Sequence, residues 1–211
     1  MGRLLETSTE RAFAIAGIGL ASSVGVFALS SAIGLPPLPE PLAELELRLP
    51  GIFALHMVAS GLGLILLPWI LLLRHRPSLH RGLGRVGAGL LLVGAATSLP
   101  SALLSEAGPV ARLGFFTQGA LCLVFLVGGV RAIWMHDRQR HVRMMMRVSA
   151  LVLGAIVLRA LLAAAMSLGW PFEATYTALA WLSWCLPLTL VMLWPTVSTG
   201  PRPFPSLRLT R

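Results

Sequence analysis

Four side chains have the type and position to do chemistry: His56, His80, His141 and Arg159. His80 lies in Leu79-His80-Arg81-Gly82-Leu83-Gly84-Arg85, and His141 in His141-Val142-Arg143-Met144-Met145-Met146-Arg147. Each stretch leads into a long apolar run. Two neutral imidazoles facing one another can ligate a haem iron axially or hold a divalent metal. Histidines at a membrane edge, beside arginines, can also simply meet lipid phosphates. The sequence leaves these three uses open, with His80 and His141 as the metal ligands and haem b as the cofactor if the first holds.

Arg159 and His56 lie inside apolar runs. Arg159 falls about 11 residues into its run, or about 16 Å at 1.5 Å per residue. A guanidinium at mid-membrane depth costs about 2.5–3.5 kcal/mol on insertion scales. No Asp or Glu lies inside any apolar run, so the compensating group is not an obvious carboxylate of this chain. A bound anion, a haem propionate, a quinone oxygen or backbone carbonyls would serve, as would a side chain that snorkels outward. His56 sits some four residues inside the start of its own run. It reaches a similar depth from the opposite helix direction, so the two are expected to share a pocket.

Other chemistries lack their residues. Paired carboxylates for acid–base work are absent from the apolar runs, and so are a P-loop, a dinucleotide glycine fingerprint and HExxH. Met144, Met145 and Met146 are consecutive, so a helix would point them to different sides, away from one copper site. Cys122 and Cys185 both lie in apolar runs without CxxC spacing, which reads as buried cysteine rather than a disulfide or zinc framework.

The elements that must position these residues follow from composition. Hydrophobic residues make up 56% of the chain and charged residues only 12%, against about 25% charged in a soluble domain. Mean hydropathy is +0.81. Six runs approach the roughly 20 apolar residues that cross a bilayer core: Phe13 to Leu35, Ile52 to Leu73, Val86 to Leu104, Leu113 to Trp134, Val148 to Leu168, and Tyr176 to Val197. Pro36, Pro37, Pro39 and Pro41 interrupt the chain after the first run, because proline cannot continue a helix. Arg74-His75-Arg76-Pro77, Gly108-Pro109 and Trp170-Pro171 mark later breaks. The fold is therefore expected to be all-α, a six-transmembrane-helix bundle. Residues 1–197 form a single transmembrane domain, and residues 198–211 a disordered cytoplasmic tail. Gly17, Ala21 and Gly25, four residues apart, are expected to let the first helix approach a neighbour closely. That run is too long for a signal core, and Glu6 and Glu10 dilute its basic start, so it is read as retained.

The formal charge is +9 with no lysine. The arginines are scattered between apolar runs rather than gathered on one soluble face, which argues against nucleic acid. Fourteen of the 17 fall on one side of the six spans; Arg48 and Arg112 fall on the other, and Arg159 lies within. Basic residues favour the cytoplasmic side, so both termini are expected inside, in a bacterial cytoplasmic membrane. Glu40, Glu44, Glu46, Glu106 and Glu173 then face outward.

His56, the Leu-His-Arg-x-x-Gly-Arg stretch at Leu79 to Arg85, the His-x-Arg-x-Met run at His141, Arg143 and Met145, and the helix residue Arg159 followed by Trp181 to Trp184 form a recognisable set. From about Ile52 to Trp194 the chain resembles the bacterial membrane-protein family called domain of unknown function 2306. It departs from that pattern at Met144, where the family usually has Trp, and around Pro187, where the last span is often polar. The resemblance implies a multi-pass membrane fold and names no activity. Two function classes remain: a b-type haem or quinone-linked electron carrier using His80 and His141, with Arg159 or His56 at a second group; or a small transporter, lipid-binding or assembly protein whose Arg159 lines a polar cavity. The expected partners are the lipid bilayer, a quinone or anionic small molecule, and another membrane protein.

Overall fold

The computed structural model describes residues 8–35, 37–38 and 40–193; the tail and the end of the sixth run lie outside the described residues. Among them are seven α-helices and no strand: α1 (Ser8–Ala32), α2 (Glu40–Arg48), α3 (Ile52–Leu72), α4 (Pro77–Leu104), α5 (Gly108–Trp134), α6 (Arg138–Ser167) and α7 (Phe172–Leu193). All but α2 are long and apolar enough to cross a membrane. The chain is an all-α, six-span bundle.

Hairpin order governs the packing. The walls run α1 against α3, α3 against α4, α4 against α5, and α5 against α6, with α7 seated on both α6 and α5. A shorter contact between α1 and α6 closes the ring. The interior mixes small residues with large ones: Ala95, Ala111, Ala132, Ala150 and Ala180 are buried beside Leu126, Leu151 and Trp184. Leucine, isoleucine, valine and phenylalanine project outward in numbers that water would not tolerate, Phe13, Ile15, Val124 and Leu190 among them. Lipid tails supply no hydrophobic drive between helices, so small residues that permit close contact hold the bundle. At the α1–α3 crossing, a Cβ added at Gly25 would stand 2.7 Å from the Gly61 carbonyl, and one added at Gly61 would stand 2.9 Å from the Gly25 carbonyl. Ala21 is buried beside them, but Gly17 meets nothing within 4 Å. The small-residue stripe is thus a contact over its second half only.

Two expectations need correction. The His80 and His141 stretches do not lead into helices but already form the opening turns of α4 and α6. Pro77 stands in the first turn of α4, where its missing N–H has no partner to lose. Asp137 caps α6 by accepting from the Arg140 N–H at 2.8 Å. The segment after Pro41 was read only as an interruption, yet it forms α2.

Helix ends are closed by the chain itself. At α1, the Leu35 N–H reaches the Ser30 carbonyl and the Gly34 N–H the Ser31 carbonyl, with Gly34 at φ 80°. The same paired bonds end α6 at Gly169 and Trp170. At α5 they recur with His136, at φ 58°, in the left-handed position.

The Gly25–Gly61 crossing predicts a contrast. Gly25→Ala should destabilise the detergent-solubilised protein by about 1–3 kcal/mol through overpacking, seen as a lower unfolding temperature. Gly17→Ala, in open space, should leave it unchanged or slightly raised.

Candidate functional site: a cavity at the glutamate-rich end

A cavity of about 500 Å³ lies within the ring, towards the end of the bundle that carries α2. Its walls are mainly apolar, from Val24 and Phe27 on α1, Met57 and Leu64 on α3, Leu91 and Ala95 on α4, Phe115 and Cys122 on α5, and Leu158 and Leu162 on α6. Into this space the fold brings His56, Gln118, Arg159 and Tyr176, with Ser60, Ser98 and Ser101. The volume is in the range of small-molecule pockets, and the pattern of an apolar cavity with a few converging polar groups is theirs too.

His56 is fixed from α3 by a neighbouring helix. Its Nδ1 lies 2.8 Å from the Gly94 carbonyl on α4, with the Ser60 hydroxyl 3.4 Å away. A carbonyl only accepts, so Nδ1 carries the proton, and in the neutral ring Nε2 is left as a bare acceptor. This approach needs Gly94, where an added Cβ would meet the Ser60 backbone at 3.2 Å. Phe53 stacks on the imidazole at 6.4 Å between ring centroids.

Arg159 stands on α6 eight residues before the helix ends at Ser167, about 12 Å along the axis. Nη1 donates to the Ala155 carbonyl one turn back at 3.0 Å. Among the described residues no carboxylate pairs with it; the ion pairs found there join Arg48 to Glu44 and Glu106. The side chain is exposed and lines the cavity. His56 and Tyr176 are its electrostatic neighbours. Tyr176 is held by rings on either side, Phe115 at 5.4 Å and Phe172 at 5.3 Å. Gln118 ties α5 to α6, donating from Nε2 to the Leu151 carbonyl at 2.9 Å.

The helix α2 roofs the cavity. Leu38, Leu42 and Leu45 face into it, while Glu40, Glu44 and Arg48 lie on the exposed side. Arg48 pairs with Glu106 in the α4–α5 connection as well as with Glu44. Glu46 accepts from the Gly51 and Ala54 N–H groups at 2.9 and 3.0 Å, capping α3 from outside.

His80 and His141 lie at the arginine-rich end, away from this cavity. His80 Nδ1 is 3.0 Å from the Ile70 carbonyl and His141 Nδ1 is 2.9 Å from the Gly129 carbonyl. Each therefore bridges the two arms of its own hairpin, α3–α4 and α5–α6. Their helices, α4 and α6, both pack on α5 rather than on each other. Among the described residues no three His, Cys, Asp or Glu side chains cluster to hold a metal. The methionine run is packing: Met144 and Met145 lie over Gly129, and Arg147 sits 5.3 Å above the Phe125 ring.

The fold thus joins His56 and Arg159 in one cavity and keeps His80 and His141 apart from it. Gln118 and Tyr176 were missed in the sequence. Both had a signal: Gln118 is a lone amide inside an apolar run, and Tyr176 is the single tyrosine of the chain.

Replacing His56 by Leu removes the bond to Gly94. Unfolding in detergent should show a loss of about 0.6–1.7 kcal/mol, the range for interhelical bonds in membranes.

No curated protein and no solved structure matches the chain. A family model described as predicted membrane protein (DUF2306) matches residues 53–195, a stretch that holds five of the six spans and every cavity residue from His56 to Tyr176. The chain is an integral multi-pass membrane protein and belongs to that family.

Proposed function

We propose that this protein binds, in the cavity under α2, a small amphipathic molecule whose head is anionic or rich in carbonyl oxygen. The observation that carries this is Arg159: a guanidinium deep in an apolar bundle, facing a cavity, with one donor on a backbone carbonyl and no carboxylate partner among the described residues. An uncompensated charge at that depth is costly, and an anionic or oxygen-bearing ligand offsets it through charge-assisted hydrogen bonds. His56 Nε2 accepts from a hydroxyl of the same head, and Tyr176 and Gln118 supply further polar edges. The distribution of arginine supports a bacterial cytoplasmic membrane with both termini inside, which turns α2 and the cavity mouth outward. This is the binding or transport class rather than one needing a resident redox group.

Short-chain lipids test it. Dioctanoyl phosphatidylglycerol should raise the unfolding temperature of the purified protein more than dioctanoyl phosphatidylcholine does, with about 2.7 kcal/mol gained at a concentration a hundred times its Kd. Arg159→Gln should abolish the difference and Arg159→Lys keep part of it. Equal shifts for both lipids in wild type and Arg159→Gln would reject the reading.

A second, redox reading rests on the hydrogen bonds of His80 and His141 alone. Each donates Nδ1–H to a carbonyl, the second-sphere bond that orients a ligating imidazole and leaves Nε2 for a metal. If they ligate haem b, protein made with ample haem supply shows a Soret band and a dithionite-reduced α-band that vanish in His80→Ala or His141→Ala. A featureless visible spectrum of the folded protein removes the haem reading and leaves the cavity untouched.

A further inference from the structure

We infer that the ligand of the cavity is a membrane lipid with an anionic head, drawn sideways from the leaflet on the α2 side, its chain leaving the bundle between α1 and α6. The inference rests on the proposed binding of an anionic head at Arg159 and adds the ligand class and its route.

The route follows from how the ring closes. On the arginine-rich side of the cavity, α1 and α6 meet through Ala21 and Val24 against Val152 and Ile156, with Leu64 filling in from α3. Beyond that cluster, towards α2, Phe27, Ala28 and Ser31 on α1 and Leu158, Arg159 and Leu162 on α6 all line the cavity. The neighbours of this seam lie to its sides: α7 packs on α5 and α6, and α3 packs on α1 and touches α6. Phe27 lines the cavity and is also about half exposed, at 49%, which on the proposed route makes it the edge of the opening. Arg159, on the facing helix, is exposed towards the same space. The gap thus puts a cation at the inner end of a greasy slot that opens into hydrocarbon.

The aqueous route is obstructed. The apolar face of α2 covers the cavity, and α2 is fastened at two places: Arg48 to Glu106, and Glu46 to the first N–H groups of α3. Glu106 and Glu44 at that rim also repel a soluble anion. A lipid already in the leaflet passes neither barrier. Its head exchanges interfacial water for Arg159 and His56, and its chain stays in apolar surroundings throughout. A cavity of about 500 Å³ holds a head and the start of a chain, so the remainder must lie in the gap or the bilayer.

The test uses the full chain in nanodiscs of phosphatidylcholine and phosphatidylglycerol, with p-benzoylphenylalanine at position 27, 42 or 13. Position 42 reports the α2 roof, and position 13, about 21 Å along α1 from position 27, reports bulk lipid. After illumination, mass spectrometry of the protein should show phosphatidylglycerol on position 27 at least tenfold enriched over phosphatidylcholine. Arg159→Gln should remove that enrichment and Arg159→Lys preserve it, while adducts at position 13 follow bilayer composition in every variant. Enrichment that is absent at 27, or indifferent to Arg159→Gln, overturns the lateral route. If the thermal shift still depends on Arg159 in that case, the anionic site stands and only the route and ligand class fail. Protection of position 42, and not 27, by glycerol 3-phosphate would assign the site to a water-soluble anion. Loss of both the thermal shift and the enrichment removes the anionic site itself. Monodisperse elution of each variant on size exclusion confirms that folding is not the cause.

Discussion

In hydrocarbon a polar atom must find its partner inside the protein, and most of this bundle can be understood as the working out of that demand. Backbone groups meet it by forming helices. Hydroxyls meet it by folding back on their own helix: Thr97 onto Val93, Ser101 onto Thr97, Thr117 onto Leu113 and Ser149 onto Met145. Imidazoles meet it across helices. His56, His80 and His141 each give a proton to a carbonyl of the neighbouring helix, so the three histidines stitch α3 to α4 at both ends and α5 to α6 at one. Among the described residues, the Arg112 Nε and the Ser183 hydroxyl are the buried side-chain polar atoms left without a partner.

Glycine makes these bonds geometrically available. Gly94 lets Ser60 and His56 approach α4, and Gly129 lets the methionines and His141 of α6 approach α5. Gly154 accepts the Gln118 amide and the Ser183 carbonyl in the same way, at 3.0 and 3.3 Å from where its Cβ would be. Ser183 is also the residue whose carbonyl loses its helical donor to Pro187, four positions on. Close approach thus serves polar satisfaction as well as dispersion, and the two together fix the rotation of each helix.

Arg159 meets the same demand in part. One carbonyl takes one of its five donors, and the residue lines a cavity that the bundle keeps open rather than filling with larger side chains. Filling that space with leucine would have been the simpler way to gain packing energy. The cavity, the roof of α2 and the short α1–α6 contact are one arrangement: the ring is tight where only packing matters and open where the cation sits.

The sequence by itself determined the number of membrane-crossing helices and their hairpin order, because the bilayer's thickness and its intolerance of proline, glycine and charge at a break are written along the chain. It also exposed His56 and Arg159, since a polar residue inside an apolar run is conspicuous. Their meeting depended on tertiary structure: which way a helix faces is settled by packing across helices, Gly94 against Ser60 and Gly154 against Gln118 and Trp184, between residues distant in sequence. The same holds for Gln118 and Tyr176, ordinary residues until α5 and α7 turn them inward. The helix α2 escaped because nine residues among prolines look like a linker, and only the apolar roof it makes over α3 and α4 shows its use. His80 and His141 share a type and a place in the first turns of a helix, yet each is bound to its own hairpin, and only the folded chain reveals which carbonyl across the turn it meets.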